Sequence, residues 1–262
     1  MALISRARSR TLKRDLREIL LIVIGVIIAL SANAVWDYFQ DRRVERASLR
    51  QLLETTLENE QRIAQSVFED SSANHYNQAL WQTFQPGTPV DTLRIAEAAY
   101  KGYWFSDFHP LTGTYSALAQ SGEMNTIRNR KLRADISVYA GELDSTMREW
   151  FAVADIIGGV VTVREAGRFL PLHDLAVWAT ATAPRALPRI DVDALRNNPD
   201  FRGFLQMQID ASGNRIALLR KLRVRTMTIR RGLEEELDVP HAPAPVLDTS
   251  FLAGFRTATT NR

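Results

Sequence analysis

Apolar residues fall into two regimes along this chain. Between Ile19 and Trp36, eighteen consecutive residues (ILLIVIGVIIALSANAVW) carry no charge, and arginines flank them on both sides. From Asp37 onward, apolar residues instead recur every three or four positions with charged residues between them. The first regime is that of a membrane span: at ~1.5 Å per residue, eighteen helical residues extend roughly 27 Å, close to the hydrocarbon thickness of a bilayer. The second is that of amphipathic helices, whose narrow apolar stripes become stable only when packed on one another.

After the span the helical pattern continues without a turn signal through Leu49, Leu53, Leu57, Ala64 and Val67, so the spanning helix should run outward as a stalk into a bundle. Pro86-Gly87-Thr88-Pro89 breaks it. Asp91 can then cap a short helix over Thr92–Lys101, ended by Gly102. Tyr103–Gly113 (YWFSDFHPLTG) is aromatic and turn-rich, and Thr114–Gln120 reads as a short helix closed near Gly122. A long stripe follows through Leu132, Ile136, Tyr139, Leu143, Met147, Trp150, Ala154, Ile157 and Val161, which Gly158-Gly159 should bend or interrupt. Leu170–Pro188 holds three prolines and reads as irregular.

Asn198-Pro199-Asp200 combines an N-cap, a first-turn proline and an acid at the positive end of a helix dipole. The helix it opens carries the cleanest stripe, from Phe201 through Leu205, Ile209, Ser212, Ile216, Leu219, Leu222, Thr226, Ile229 and Leu233 to Leu237. Pro240, Pro243 and Pro245 end it. No strand-like alternation and no internal repeat appear. The predicted fold is all-α: a transmembrane helix continuing into an antiparallel bundle of about three long helices plus short connecting ones. The domain reading is a basic cytoplasmic leader over 1–18, the span over 19–36, a helical bundle over 37–238 and a flexible tail over 239–262.

Charge refines this picture. Residues 1–36 hold six basic side chains against Asp15 and Glu18, a net of +4, while the remainder carries 27 basic and 28 acidic residues, a net of −1. The body therefore has no basic excess that would favour nucleic acid. Six basic residues precede the span, whereas Arg42, Arg43, Arg46 and Arg50 follow it. The positive-inside tendency then places the amino terminus in the cytoplasm and the body in the periplasm of a bacterial inner membrane. Trp36 and Tyr38 stand where interface aromatics anchor a span. An alternative reading takes the leader as a secretory signal cleaved at Ala34, after Ala32-Asn33-Ala34, which would leave a periplasmic protein. Within the span, Gly25, Ala29 and Asn33 recur every four residues on one face, a candidate surface for helix association in a homo-oligomer or with another membrane protein.

Two stretches together resemble an uncharacterised family of bacterial single-span membrane proteins, a domain of unknown function. One runs from Arg17-Glu18-Ile19-Leu20 through Gly25 and Ala29-Leu30 to Asn33 and Trp36. The other comprises Thr114-Tyr115, Leu118, Ser121-Gly122, Ile127, Asn129, Leu132-Arg133, Ile136 and Tyr139. The resemblance spans roughly residues 15–237 and implies an anchor followed by a helical body with a late long helix. It carries no activity and no catalytic residue. Ser31-Ala32-Asn33-Ala34 is smaller and more cleavage-like than the family's usual sequence before the tryptophan.

Chemistry-bearing residues are sparse. There is no cysteine, which removes disulfides, thiol nucleophiles and thiolate metal sites. None of His75, His109 and His173 has a second histidine or a carboxylate at helical i,i+3 or i,i+4 spacing, and His241 has only Asp238, with Pro240 between them. No phosphate-binding glycine loop, G-x-S-x-G elbow or H-E-x-x-H occurs. No catalytic, metal or cofactor residue is therefore assigned. The basic run Arg220, Lys221, Arg223, Arg225, Arg230 and Arg231 reads as a solvated face, with Glu234 and Glu235 placed to pair with Arg230 and Arg231. Tyr100, Tyr103, Trp104, Phe105, Phe108 and His109 form the candidate pocket or partner surface. The expected function is a membrane-anchored interaction or scaffold module whose partners are the lipid bilayer and other membrane proteins. A ligand sensor signalling through a partner and a membrane-tethered enzyme are the alternatives.

Overall fold

The computed structural model describes residues 2–103, 106–160, 169–179 and 186–250. Its first element, α1 (Ala2–Thr83), is one unbroken helix of 82 residues. It is long and apolar enough near its N-terminus to cross a membrane. Every side chain from Leu20 to Asp41 is exposed, and burial begins at Arg42 and Glu45. No proline or turn separates the bare segment from the buried one, so the apolar rod and the bundle share a single backbone.

The other helices are α2 (Thr92–Tyr103), α3 (Gly113–Ser121), α4 (Arg130–Val160), α5 (Leu172–Ala179), α6 (Val192–Arg196) and α7 (Pro199–Leu237), with a 3-10 turn at Glu123–Thr126. The described residues are all-α, as the periodicity predicts. α1 packs chiefly on α7, and α7 on α4. Paired residues fix the directions. Glu60 meets Arg230 and Asp70 meets Arg215, so α7 runs antiparallel to α1. Tyr139 meets Thr226 and Asn129 meets Glu236, so α7 is antiparallel to α4 as well. α1 and α4 consequently point the same way, both packed on α7.

The α7 cap forms as its sequence requires: Asn198 Oδ1 accepts from the backbone N–H of Asp200 (2.9 Å) and Phe201 (3.1 Å). Its stripe from Phe201 to Leu233 is buried apart from Ile209, which is partly covered. Asp91 caps α2 through the Arg94 N–H at 3.1 Å. Gly122 takes φ +79° where α3 ends, a left-handed conformation that costs glycine little.

α4 is helical through Gly158 and Gly159 to Val160, and Val161 of its stripe lies outside the described residues. Two local expectations differ. Leu172–Ala179, expected as irregular, is helical because its three prolines lie outside those eight residues. α2 runs past Gly102 to Tyr103. Gly102 serves a close approach instead: a Cβ there would lie 2.3 Å from Asn77 Oδ1, and the Asn77 amide donates to the Gly102 carbonyl at 2.8 Å.

The core has two parts. The larger one joins Leu49, Leu52 and Ile63 of α1 to α3, α4 and the C-terminal half of α7. The smaller one packs Leu80 and Phe84 with Ile95, Leu175, Phe201 and Leu205 at the far end of the bundle. At ~25 cal/mol per Å2 of apolar surface removed from water, these clusters supply the main favourable contribution to folding.

Candidate functional site

The face of α1 inside the bundle is strongly polar. Glu45, Ser48, Thr55, Thr56, Asn59, Glu60, Ser66, Asp70 and Asn77 are all buried. Buried polar groups must find partners, and here most of those partners lie on one descending segment. From the end of α2 the chain returns along α1 toward its apolar stretch, and α1 side chains meet it rung by rung. Asn77 holds Gly102; Asp70 accepts the Ser106 N–H (2.9 Å); Arg62 donates to the His109 carbonyl (3.1 Å). Asn59 binds Leu111 in both directions, donating to its carbonyl (3.0 Å) and accepting its N–H (2.7 Å). Thr55 meets Thr114, and Thr56 meets Tyr115, each at 2.9 Å. Ser48 donates to Glu123 (3.3 Å), and Glu45 accepts the Arg128 N–H (2.7 Å). Ser106, Leu111 and Arg128, whose backbone lies outside the helices, thereby find partners on α1.

Ser106 and Phe108, from the described part of the aromatic segment, sit on this ladder beside the most deeply buried ion pair among the described residues. Arg215 Nη2 of α7 lies 3.1 Å from Asp70 Oδ1, with side chains 1% and 0% exposed. The same nitrogen donates to the Ser106 carbonyl at 2.9 Å, and the guanidinium lies 4.2 Å from the Trp150 ring centre. Burial pushes the Asp70 carboxyl above the usual carboxylate range, while Arg215 and the Ser106 N–H pull it back. Burial likewise lowers Arg215, opposed by Asp70. This arrangement clamps α1, α7 and the segment after α2 together, with Trp150 of α4 as its lid. Nearer the apolar stretch, Tyr115 and Tyr139 meet edge-on at 5.5 Å, and the Tyr139 hydroxyl reaches Thr226 at 3.0 Å. Burial raises both phenols above their ordinary value, so they act as neutral hydrogen-bonding groups.

A second buried cluster faces the C-terminal strap. Arg230 Nη1 contacts Glu60 (2.9 Å) and its Nε contacts Glu234 (3.5 Å). Glu234 accepts from the Ala242 N–H (2.9 Å) and meets His241 Nδ1 (2.6 Å). Burial would raise Glu234, but Ala242, His241 and Arg230 outweigh it and hold the carboxyl below its usual value. The strap then runs along α1. Gln61 exchanges two hydrogen bonds with the Val246 backbone, and Gln65 exchanges two with that of Asp248. Four helical residues advance about 6.0 Å and two extended residues about 6.6 Å, so glutamines one turn apart match alternate peptide units. Residues 251–262 of the predicted tail lie outside the described residues.

Of the six candidate surface residues, Trp104, Phe105 and the side chain of Tyr103 lie outside the described residues. Tyr100 is partly buried. Phe108 is fully buried, 6.5 Å from Trp150, and so belongs to the core. His109 is exposed, 2.7 Å from Asp107 and 5.6 Å from the Phe151 ring. In the basic run only Arg230 is buried, while Arg225 reaches Glu142 of α4 at 3.2 Å. Gly25, Ala29 and Asn33 are uncovered within the chain; no atom comes within 4 Å of a Cβ added at Gly25, and Asn33 donates to Asp37 at 3.4 Å. Among the described residues, no group of three or more His, Asp or Glu side chains is placed to hold a metal ion. No family model, curated protein or solved structure matches the chain.

Sequence reading missed the Asp70–Arg215 clamp and the polar ladder. Asp70 and Arg215 each look like ordinary charged positions on a long helix. Their only signal is an absence: on the α1 face, apolar residues are missing just where the spacing calls for them, at Thr56, Asn59 and Asp70.

Proposed function

We propose that the protein is a membrane-anchored, extracytoplasmic helical interaction module that performs no catalysis. Its amino terminus is then cytoplasmic and its bundle periplasmic, in a bacterial inner membrane, in line with the family that residues 15–237 resemble. The observation that carries this reading is the continuity of α1, whose exposed apolar stretch and buried bundle half form one helix. A cleavage site at Ala34 would lie inside that helix rather than in an extended segment. The buried ionisable groups Asp70, Arg215, Glu60, Arg230 and Glu234 are all engaged in clamps between helices or with the strap, which favours a structural role for them.

A bundle rigidly joined to a span presents its lateral surface at a fixed height above the bilayer. That suits partner capture, and the uncovered Gly25, Ala29 and Asn33 face offers a place for a second membrane helix. The test is alkaline extraction of membranes combined with in-cell cross-linking and mass spectrometry. The reading expects a chain retained in the membrane, of full length, cross-linked to itself or to other membrane proteins. A mature chain beginning after Ala34 in the soluble fraction would overturn it.

A further inference from the structure

Where α1 leaves its apolar stretch, Trp36, Tyr38 and Phe39 remain exposed, the placement of aromatics at a membrane interface. Just beyond them, two arginines from different parts of the chain converge. Arg42 lies one turn after Tyr38, and its guanidinium carbon sits 5.9 Å from the Tyr38 ring centre. Helical side chains lean toward the N-terminus, which here is the side of the span. Arg128 arrives from the loop after the 3-10 turn. Its backbone N–H is held by Glu45 at 2.7 Å, and its guanidinium carbon lies 4.4 Å from the same ring centre.

Among the described residues, the one carboxylate shared by these arginines is Glu45, at 3.1 Å from Arg42 and 3.8 Å from Arg128. Its side chain is 1% exposed, whereas those of Arg42 and Arg128 are 42% and 39% exposed. Two guanidiniums facing solvent with one buried carboxylate behind them leave an outward positive charge. Asp37 and Asp41 stand roughly 140° and 100° around the helix from Arg42, while Tyr38 is only about 40° away. Arg42 is about 9 Å along the axis from Trp36. Its side chain leans back across roughly one turn, into a headgroup layer about 5–8 Å deep.

We propose that Arg42 and Arg128, gathered on Tyr38, form a binding site for the phosphate of an anionic phospholipid headgroup. The site rests on the reading that residues 19–36 span the bilayer. Guanidinium forks match phosphate oxygens in pairs, and the Tyr38 face and Glu45 already hold both forks in place, so little side-chain freedom is lost on binding. Because Arg128 belongs to the bundle and Arg42 to the emerging helix, one headgroup bridges the two and seats the base of the bundle on the membrane.

The experiment titrates the full-length chain in mild detergent with phosphatidylglycerol or phosphatidylcholine of matched tails, read by native mass spectrometry. Preference for phosphatidylglycerol is expected, with each arginine contributing roughly fivefold. Arg42→Gln or Arg128→Gln should each lose about that factor, and the double variant most of the preference. Arg148→Gln, exposed on α4, should keep it. Circular dichroism checks that the variants retain their helix content, and the wild-type preference needs no variant at all. Equal retention of the two lipids by a chain that resists alkaline extraction from vesicles would overturn the headgroup site alone. A chain that washes off vesicles would overturn the span and the site together. Displacement of the lipid by excess inorganic phosphate would reassign the arginines to a soluble anion and overturn the lipid assignment.

Discussion

Replacing Asp70 by Asn removes one charge from the clamp and almost nothing else. The amide oxygen can still accept the Ser106 N–H, and the side-chain volume is unchanged. Arg215, 1% exposed, is left with no carboxylate at 3.1 Å. At that separation and an effective dielectric of about 20, the lost attraction is about 5 kcal/mol, and removing one partner of a buried pair typically costs ~3–5 kcal/mol. For a body of this size each kcal/mol moves the melting temperature by about 2–4 °C, so D70N should melt roughly 6–20 °C lower. The assay is thermal unfolding of the detergent-solubilised chain by circular dichroism. The reverse substitution should behave differently, because a carboxyl can take up a proton and a guanidinium cannot. In Arg215→Met the buried Asp70 is raised further, so its folded form stays protonated where the unfolded form is ionised. R215M should therefore lose stability as pH rises above the ordinary carboxylate value and through the raised folded one, a slope that D70N lacks. D70N melting within about 2 °C of the wild type, or R215M without its pH slope, would refute the clamp.

The strap should be separable from the bundle. Gln61→Ala with Gln65→Ala removes four solvent-exposed hydrogen bonds, each worth about 0.5 kcal/mol, so limited proteolysis should cut within 239–248 faster while the bundle's melting changes little. Glu234 has a lowered folded pKa, so its contribution is present above the unfolded carboxylate value and disappears as pH falls through the folded one. Strap protection measured by hydrogen exchange at Ala242 should weaken in that acidic window, and Glu234→Gln should weaken it already at neutral pH. Gly102→Ala forces a methyl group against Asn77 and should cost about 1–3 kcal/mol in thermal unfolding, partly restored by also changing Asn77 to Ala.

The helices were legible in the sequence wherever caps and stripes coincided. Asn198-Pro199-Asp200 opens α7 as it should, and the stripe from Phe201 to Leu233 faces the core that α7 shares with α1 and α4. α1 was less legible. Leu53 and Leu57 were expected on its buried face, yet both are only partly covered, whereas Leu52, Thr56 and Asn59 are buried. Hydrophobic periodicity registers apolar contacts, and this face is occupied by polar groups serving residues 102–128. Outside α3, that segment has no periodic pattern of its own. Its partners, from Asn77 to Glu45, lie 25–83 positions away in sequence, which local spacing cannot encode. Arg230 and Glu234 show the converse: the i,i+4 pairing was visible, but Glu60 and the strap, which bury the pair, were not.

The proposed anchoring requires α1 to be one rod from its apolar stretch into the bundle. The chain has no cysteine, so a pair introduced at Val35 and Glu54, both exposed, can be spin-labelled without background. In lipid nanodiscs, pulsed electron spin resonance should return one narrow distance distribution, consistent with a backbone separation of about 29 Å over nineteen helical steps. A broad or markedly shorter distribution would place a hinge between span and bundle and contradict the account.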